Sequence, residues 1–309
     1  MPQIFKVGSY WVYFWLSYSK MDRPFWRNFF LLLNARADLA QKGEEMVDVI
    51  SYYNSIDEGH RLNRNYSRRL EFYTTRKYIL ERIKQGDVVA DIGAGEGVYT
   101  FEIADKCSKA VAFDIVPKHI EKINQIKQEK NSTNIEAVQT SILDIDKKYD
   151  SSFDVVLCLG PYYHLRKKQE RLASLKKCYD LLKPNGTLLI SYLNRYASVS
   201  TFYKFSKFPS KEMLDEWQKD EYTKEFGFDN FMDISFCSDP EMTENELKLC
   251  NFQIEKNIGT DGMFSLVTKQ MESMSEEDFE NLLDFHLKNC EDRHLIGMNN
   301  HGLIICKKR

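Results

Sequence analysis

Short apolar runs alternate with longer segments of mixed polarity from Asp87 to the last residues of the chain. Seven of these runs are rich in apolar and β-branched residues, and several stop at a glycine, which is typical of buried strands. They are DVVADIG (87–93), AVAFDI (110–115), IEAVQ (135–139), FDVVLCLG (153–160), TLLISYL (187–193), NFQIEKNIG (251–259) and HGLIICKK (301–308). Because the first five are nearly all apolar, we expect a parallel sheet covered on both faces.

The segments between these runs have the spacing of helices. Residues 47–84 are polar with apolar positions near helical spacing, and EGVYTFEIADKC (96–107) follows the first strand. Pro117 stands at the favoured first-turn position of a helix that runs through Lys130. Residues 165–182 predict a basic amphipathic helix, which KPNG ends. The alternation predicts an α/β fold: a doubly wound, Rossmann-like, seven-stranded sheet with helical N-terminal and inserted lid segments.

The same pattern predicts a single domain over residues 46–309. Residues 194–239 contain many aromatics without a clear period, which favours an insertion. The expected parts are an N-terminal helical lid (46–84), a core (85–193), the insertion (194–239), and C-terminal core strands and helices (240–309).

The first 45 residues differ in composition from the rest. They hold 11 of the 41 aromatic residues, and YWVYFW alternates too weakly to predict an amphipathic strand. QKGEEM (41–46) can be encoded by a purine-rich run of the kind that forms a bacterial ribosome-binding site just before a start codon. We therefore hypothesise that Met46 is the natural start and that residues 1–45 are a non-native or fused extension. A genuine aromatic N-terminal arm is the alternative.

Composition excludes several classes of function. The chain has 309 residues, 29% of them charged, with a net charge of -3, which argues against a broad nucleic-acid-binding face. No stretch reaches the ~18 apolar residues that a membrane span requires. The seven cysteines are scattered without a Cys-x-x-Cys pair, which indicates reduced thiols in a cytoplasmic protein. We expect a small-molecule acceptor in preference to nucleic acid and no membrane partner, and the sequence leaves the oligomeric state open.

The segment VADIGAGEG (89–97) places three glycines directly after the first strand. A dinucleotide fingerprint requires G-x-G-x-x-G, but Val98 stands where the third glycine is needed. Asp91 also ends the strand, and its carboxylate would repel a pyrophosphate beside the helix N-terminus. Its charge suits a ligand that carries an ammonium group.

A second carboxylate, Asp114, ends the second strand 23 residues after Asp91. In doubly wound folds a carboxylate at this place accepts hydrogen bonds from a ribose diol. A ligand with an adenosine, an amino acid tail and no phosphate is S-adenosylmethionine. With ADIGAGEG, Asp114, FDVVLCLG and LLKPNGTLLIS in order, residues 87–193 resemble the class I S-adenosylmethionine-dependent methyltransferases. GPYYHL, SYLNRYA and the C-terminal DFHLKNCEDRHLIGMNNHGLIICKK resemble a bacterial subgroup of small-molecule type.

The resemblance implies S-adenosylmethionine as the cofactor and assigns its contacts. Asp91 would orient the methionyl ammonium, the glycine loop would allow close backbone approach, and Asp114 would hold the ribose. The implied cofactor-binding residues are Asp91, Gly93, Ala94, Gly95, Asp114, Ile115, Ser141, Ile142 and Leu159. One position departs from the family pattern, because Ser141 stands where an aspartate often reaches the adenine amino group. A serine still accepts one hydrogen bond there.

The segment GPYYHL (160–165) follows the fourth strand. The resemblance implies that this segment lies over the reactive methyl group. Tyr162 and His164 are the candidate catalytic residues, and Tyr163 is a further acceptor contact. An imidazole with an ordinary pKa near 6.5 can remove a proton from a hydroxyl or an amine. The alternative is that His164 caps the following helix and orders the loop.

Three functions remain open. The leading one is methyl transfer from S-adenosylmethionine to a small-molecule acceptor. Methylation of RNA or protein is the second, and non-catalytic S-adenosylmethionine binding is the third, since an intact cofactor site does not establish turnover. His286, His294 and His301 fit no zinc spacing, so we expect no metal. HLRKKQERLASLKK (164–177) reads as a solvated helix face without an aromatic stacking platform.

Overall fold

The computed structural model describes residues 3–7, 10–14, 49–56, 58–59, 61–227 and 230–309. Residues Met1–Ser51 and Tyr52–Arg309 form two separate units. In the first unit, β1 (Gln3–Val7) and β2 (Tyr10–Phe14) pair antiparallel, with Gln3 opposite Phe14. The strand at Tyr10–Phe14 differs from expectation, because the weak alternation of this segment argued against an amphipathic strand. Its aromatic and β-branched residues have a high β propensity whether or not they alternate with polar residues. The proposed start, Met46, lies outside the described residues.

The second unit alternates strands and helices. The strands are β3 (Val88–Ile92), β4 (Lys109–Asp114), β5 (Ile135–Gln139), β6 (Phe153–Cys158), β7 (Leu182–Asn194), β8 (Cys237–Ser238), β9 (Phe252–Gly259) and β10 (His301–Lys308). The helices are α1 (49–55), α2 (Tyr66–Leu80), α3 (Val98–Ala104), α4 (Pro117–Glu129), α5 (Lys168–Leu181), α6 (Arg195–Lys204), α7 (Lys211–Glu216), α8 (Asn230–Asp233), α9 (Pro240–Leu249), α10 (Thr268–Met271), α11 (Glu276–Asn289) and α12 (Arg293–Ile296).

The strand order is β5-β4-β3-β6-β7-β10-β9, and the two-residue β8 pairs with β7 outside this path. The pairs from β5 to β7 are parallel, whereas β10 is antiparallel to both β7 and β9. All seven expected strands are present, and the doubly wound Rossmann-like fold is confirmed. Since the chain moves outwards in opposite directions from β3, the loops after β3 and β6 flank the point where strand order reverses, the usual ligand site of such sheets.

The local elements differ from expectation in a few places. The first crossover helix is shorter than its pattern, because α3 ends at Ala104. KPNG was expected as a turn, but these residues lie within β7 (Leu182–Asn194). Asn185 has a φ of 63° there, so the backbone still makes a local left-handed bend. The described residues of 194–239 include the helices α6, α7 and α8, which make up less than half of this segment, and the short strand β8.

The sheet is buried on both faces. One face packs under α5 and α9 around Phe113, Tyr162 and Tyr192, and the other packs against α2 and α3 around Tyr78 and Ile103. The insertion has a smaller core of its own, in which Phe202 and Trp217 stack at 5.4 Å between ring centroids. Among the described residues, no helix has the length and apolar character needed to cross a membrane.

Candidate active site

The glycine loop owes its shape to backbone conformations that favour glycine. Gly93, Gly95 and Gly97 have φ values of 71°, 56° and 86°. A Cβ atom on Gly93 would lie 2.4 Å from Cδ of Pro161, and this proline opens the segment after β6. The amides of Gly93 and Ala94 donate to the carbonyl of Phe113 at 2.8 and 3.1 Å, which ties the loop to β4.

Two carboxylates lie beneath this loop. Asp91 is buried and accepts a hydrogen bond from the hydroxyl of Thr100 at 2.6 Å. Burial, with a smaller contribution from the charge of Asp114, raises the pKa of Asp91 to about 6. Asp114 accepts hydrogen bonds from the amides of Gly95 and Val116, both at 2.8 Å. The structure therefore brings the two predicted carboxylates to adjacent strand ends.

His119 is a third polar group here, and the sequence analysis missed it. It lies in the first turn of α4, is buried, and its Nδ1 is 3.1 Å from Oδ1 of Asp114. A carboxylate only accepts, so Nδ1 carries the proton and donates. Among the described residues Nε2 has no hydrogen-bond partner, although it too is buried. The signal in the sequence was its position five residues after Asp114 in the first turn of a helix, which predicts that the two side chains lie close together.

The remaining predicted cofactor residues lie at the same edge of the sheet. Ile115 follows Asp114 directly and Leu159 follows β6; both are half-buried. Ser141 caps a 3-10 helix at Ile142–Asp144 by accepting from the amide of Leu143 at 3.2 Å, and Ile142 is buried. The serine hydroxyl therefore has a structural role already, and the expected adenine contact stays a prediction.

His164 joins two segments that are distant in sequence. Its Nδ1 is 3.1 Å from the carbonyl of Ile234, so this nitrogen carries the proton and donates. Nε2 is then the acceptor for the hydroxyl of Tyr53, at 2.8 Å. Burial lowers the pKa of His164 to about 4, so the ring is neutral at neutral pH. It does not cap α5, which begins after Lys167 without a side-chain cap.

Tyr162 does not point towards these groups. It is fully buried, and its hydroxyl donates to Glu246 at 2.9 Å. Glu246 also pairs with Arg171 at 2.8 Å, and the guanidinium of Arg171 lies 3.6 Å from the centroid of the Phe236 ring. The structure thus gives Tyr162 a place in a buried polar cluster, which corrects the expectation that it contacts the acceptor. Full burial of Arg171 also corrects the reading of α5 as a wholly solvated basic face.

A roof covers the glycine loop; it consists of the described residues from Tyr52 to Glu71 and of residues 230–236. The side chain of Glu58 is 3.5 Å from where a Cβ of Gly95 would be. Lys118 on α4 donates to the carbonyl of Ile56 at 2.8 Å. The rings of Tyr52 and Phe231 lie 5.8 Å apart, so the two parts of the roof touch.

Two arginines of the roof, Arg61 and Arg68, form ion pairs within it. Arg61 bonds Glu58 at 2.6 Å and Glu71 at 3.1 Å, and Arg68 bonds the other oxygen of Glu71 at 2.7 Å. Burial alone would raise the pKa of Glu71, but His301, Arg61 and Arg68 together lower it well below its usual range. Arg61 and Arg68 are therefore already paired with carboxylates of the roof itself.

Residues 83–230 match a family model described as a methyltransferase domain. The chain therefore contains a methyltransferase domain. Its fold agrees with solved structures. A protein from Pyrococcus horikoshii aligns with a TM-score of 0.51 and 16% identity, covering 78% of this chain and 91% of that one. An S-adenosylmethionine-dependent methyltransferase from Methanosarcina mazei aligns with a TM-score of 0.50 and 16% identity, covering 75% and 96%.

Two curated relatives of this methyltransferase chain have names that point to different acceptors. A ubiquinone biosynthesis O-methyltransferase from Xanthomonas campestris pv. campestris is 30% identical over 119 residues, which are 38% of this chain and 48% of that protein. A tRNA U34 carboxymethyltransferase from Helicobacter pylori is 29% identical over 165 residues, which are 48% of this chain and 58% of that protein. The chain thus spans about half the length of the curated relatives it matches.

The cofactor of this domain class is S-adenosylmethionine, and the residues present fit it. Asp91 is a buried carboxylate with a raised pKa, so a cationic group beside it would favour its ionised form. Asp114 has lone pairs beyond those its three donors use. The positive φ values of the glycines keep side chains away from the loop.

Proposed function

We propose that this protein transfers a methyl group from S-adenosylmethionine to a small-molecule acceptor. The observation that carries the proposal is the geometry at one edge of the sheet. Two buried carboxylates at adjacent strand ends lie under a glycine loop, and a roof with its own ion pairs covers that loop. Cofactor and acceptor sites of doubly wound folds lie at this edge.

The proposed roles follow the chemistry of each group. Asp91 binds the ammonium of the methionyl group, Asp114 binds the ribose hydroxyls, and the loop from Gly93 to Gly95 approaches the ligand with its backbone. Ile115, Ser141, Ile142 and Leu159 surround the adenosine. When bound, the cofactor supplies an electrophilic methyl on a sulfonium, so the protein's main contribution is to position the acceptor and exclude water.

His164 is the proposed base only in a restricted sense. The only free lone pair of its ring, on Nε2, accepts the hydrogen bond from the Tyr53 hydroxyl. His164 can therefore take a proton from the methyl acceptor only after this hydroxyl moves away, or by relay through the hydroxyl. His164→Gln keeps hydrogen-bonding capacity without basicity. If His164 is a base, this variant lowers kcat at least tenfold with an unchanged cofactor Kd. If His164 only holds the roof, the variant raises KM for the acceptor and leaves kcat nearly unchanged.

The small acceptor is favoured over RNA by the charge of the roof. Arg61 and Arg68 are paired with Glu58 and Glu71, which lowers the positive potential that the roof offers to a phosphate backbone. The tyrosines and phenylalanines that line the roof suit an apolar or aromatic acceptor.

Two measurements test the proposed function. Calorimetry with S-adenosylhomocysteine tests cofactor binding, and methyl transfer from labelled S-adenosylmethionine to fractionated extract of the source cells tests turnover. The proposal expects label in a low-molecular-mass fraction. Label in RNA would show that the acceptor is RNA. Cofactor binding without any label transfer would support a non-catalytic role.

We further propose that the N-terminal helical segment 46–84 and the insertion 194–239 act as a lid. Their meeting point at His164 supports this, since a few hydrogen bonds hold them together. Hydrogen exchange with and without S-adenosylhomocysteine tests it. Residues 52–75 should exchange more slowly with the ligand, and equal exchange in both states would show that they are fixed scaffold.

A further inference from the structure

Asp114 has too few free lone pairs to hold a ribose diol alone. Its Oδ1 accepts from the amide of Val116 at 2.8 Å and from Nδ1 of His119 at 3.1 Å, and its Oδ2 accepts from the amide of Gly95 at 2.8 Å. A carboxylate has about four lone-pair sites, so these donors leave about one, on Oδ2. The ribose of S-adenosylmethionine has two neighbouring hydroxyls, and each donates one hydrogen bond. One of them therefore needs an acceptor other than Asp114.

His119 has an acceptor that the described residues leave unused. Its Nδ1 carries the proton that is donated to Asp114, and in a neutral imidazole the second nitrogen, Nε2, then has a free lone pair. Only 2% of the residue is exposed, and among the described residues no group donates to Nε2. Buried polar atoms nearly always have a partner. This nitrogen therefore indicates a donor that the described residues do not supply: a ligand or a water molecule.

Asp114 and His119 both lie in the region that the roof covers. The amide of Gly95 bonds Asp114, and Glu58 of the roof lies 3.5 Å from where a Cβ of this glycine would be. Tyr53 of the roof meets the ring of His119 edge to face, with 5.9 Å between the ring centroids and 71° between the planes. A ligand held between the glycine loop and the roof therefore reaches both side chains. Because these side chains are bonded to each other, their free acceptors are near neighbours, as the adjacent hydroxyls of one ribose require.

We propose that His119 is a further cofactor-binding residue: its Nε2 accepts a hydrogen bond from one ribose hydroxyl, and Oδ2 of Asp114 accepts from the other. Since the ligand is the cofactor of the proposed function, the inference rests on that proposal, and it divides between two side chains the diol assigned there to Asp114. The pair selects a ribonucleoside over a deoxyribonucleoside, because a missing hydroxyl leaves a buried acceptor without its donor. A histidine that only oriented Asp114 would use Nδ1 alone and would not contact the second hydroxyl.

Calorimetry with S-adenosylhomocysteine and with two analogues, each lacking one ribose hydroxyl, tests this assignment without methyl transfer. Each analogue should bind the parent about tenfold more weakly than S-adenosylhomocysteine does, because it leaves one buried acceptor unpaired. His119→Asn is the deciding variant. The amide nitrogen of asparagine can take the place of Nδ1 and keep the bond to Asp114, but asparagine has no acceptor at the place of Nε2.

The variant and the ligands together form a double-mutant cycle. His119→Asn should bind S-adenosylhomocysteine about tenfold more weakly than the parent, and one analogue should bind this variant as tightly as S-adenosylhomocysteine does. The other analogue, which lacks the hydroxyl on Asp114, should still lose about tenfold. Glu121→Gln, at an exposed position of the same helix, is the matched control and should bind all three ligands as the parent does. Thermal unfolding shows whether each variant is folded.

A measurement on the parent does not depend on the folding of a variant. With nitrogen-15 in the histidine rings, S-adenosylhomocysteine should shift the Nε2 resonance of His119, and the analogue without the contacted hydroxyl should shift it much less. Parent-like affinity in His119→Asn, a loss in that variant that is equal for all three ligands, or an unmoved resonance would each overturn the role of His119. Failure of the parent to bind S-adenosylhomocysteine would instead remove the proposed function and this inference with it, so the two failures are distinguishable.

Discussion

The glycine loop and the roof lie against each other, yet different kinds of contact hold them. The loop is shaped by residues within a few positions of a strand end, and its amides bond the adjacent strand. The roof is attached to the rest of the site by pairs far apart in sequence: Tyr53 bonds His164 across 111 positions, and Lys118 bonds the carbonyl of Ile56 across 62 positions. Shorter-range ion pairs of Arg61 with Glu58 and Glu71 hold the roof itself together. Local backbone conformation thus fixes the glycine loop, the proposed cofactor end of the site, and side-chain pairing fixes the roof, the proposed acceptor end. We expect changes in the loop to abolish binding and changes in the roof to alter selectivity and motion.

The largest effect should come from Gly93→Ala. The new Cβ meets the ring of Pro161 at 2.4 Å, and φ of 71° is strained for alanine, so we expect a loss of about 2–4 kcal/mol in stability and no measurable cofactor binding. Thermal unfolding and calorimetry measure both. Gly86→Ala is the control, because nothing lies within 4 Å of its added Cβ. Wild-type binding by Gly93→Ala would mean that the loop does not set the cofactor site.

Asp114→Ala should weaken cofactor binding by about 1–3 kcal/mol, since hydrogen bonds to charged groups are the stronger ones. The variant also frees the amides of Gly95 and Val116, so unfolding must be measured beside the Kd. Asp144 is an exposed carboxylate that follows the neighbouring strand β5, and the control variant Asp144→Ala should bind the cofactor as the parent does. An unchanged Kd in Asp114→Ala would move the ribose site elsewhere.

Cofactor affinity should increase by about tenfold between about pH 5 and pH 7 as Asp91 ionises around its raised pKa of about 6. The ligand-free protein should show the opposite trend in stability. Because the folded pKa of Asp91 exceeds its ordinary value of 3.8, the stabilisation by its protonated form is complete below that value and is lost as pH rises through about 6. Asp91→Asn should bind more weakly and remove this part of both pH dependences. A parent affinity that is flat with pH would argue against Asp91 as the ammonium partner.

A smaller effect is expected in the roof. Tyr53→Phe removes the hydroxyl that donates to His164, at a cost of about 1 kcal/mol, and leaves the ring contacts in place. Hydrogen exchange should become faster at residues 52–56 and 230–236, while the Kd for S-adenosylhomocysteine changes less than threefold. Tyr73→Phe, on the exposed side of α2, should change neither quantity. A large loss of cofactor affinity in Tyr53→Phe would show that the roof, and not the glycine loop alone, determines cofactor binding.

The smallest effect concerns residues 1–45. A chain that begins at Met46 should bind S-adenosylhomocysteine and unfold as the full chain does. A much lower melting temperature would contradict the start-site hypothesis.

The sequence predicted the loop side of the molecule well because its signals are local. One signal is a strand that stops at a glycine, and another is a proline in the first turn of a helix. Both depend on only a few neighbouring residues, and they located β3, α4 and the two carboxylates. It failed where a residue's partner is distant. Tyr162 was expected to contact the methyl acceptor, and Arg171 was expected on a solvated helix face. Both instead bond Glu246 on α9, which lies over 70 positions later in the chain. Nothing near Tyr53 in the sequence indicates that its hydroxyl meets His164.

The place of β10 in the sheet has a consequence for how the protein is made. β10 lies between β7 and β9, both of which precede it in the chain. During synthesis the ribosome therefore releases these two strands with open edges, and the gap closes only when β10 emerges and inserts. His301, the first residue of β10, lies 3.0 Å from Asp261 and 3.8 Å from Glu71, so the arrival of β10 also brings this imidazole beside both carboxylates. Until that moment the nascent chain holds unpaired strand edges of the kind that chaperones and aggregation compete for.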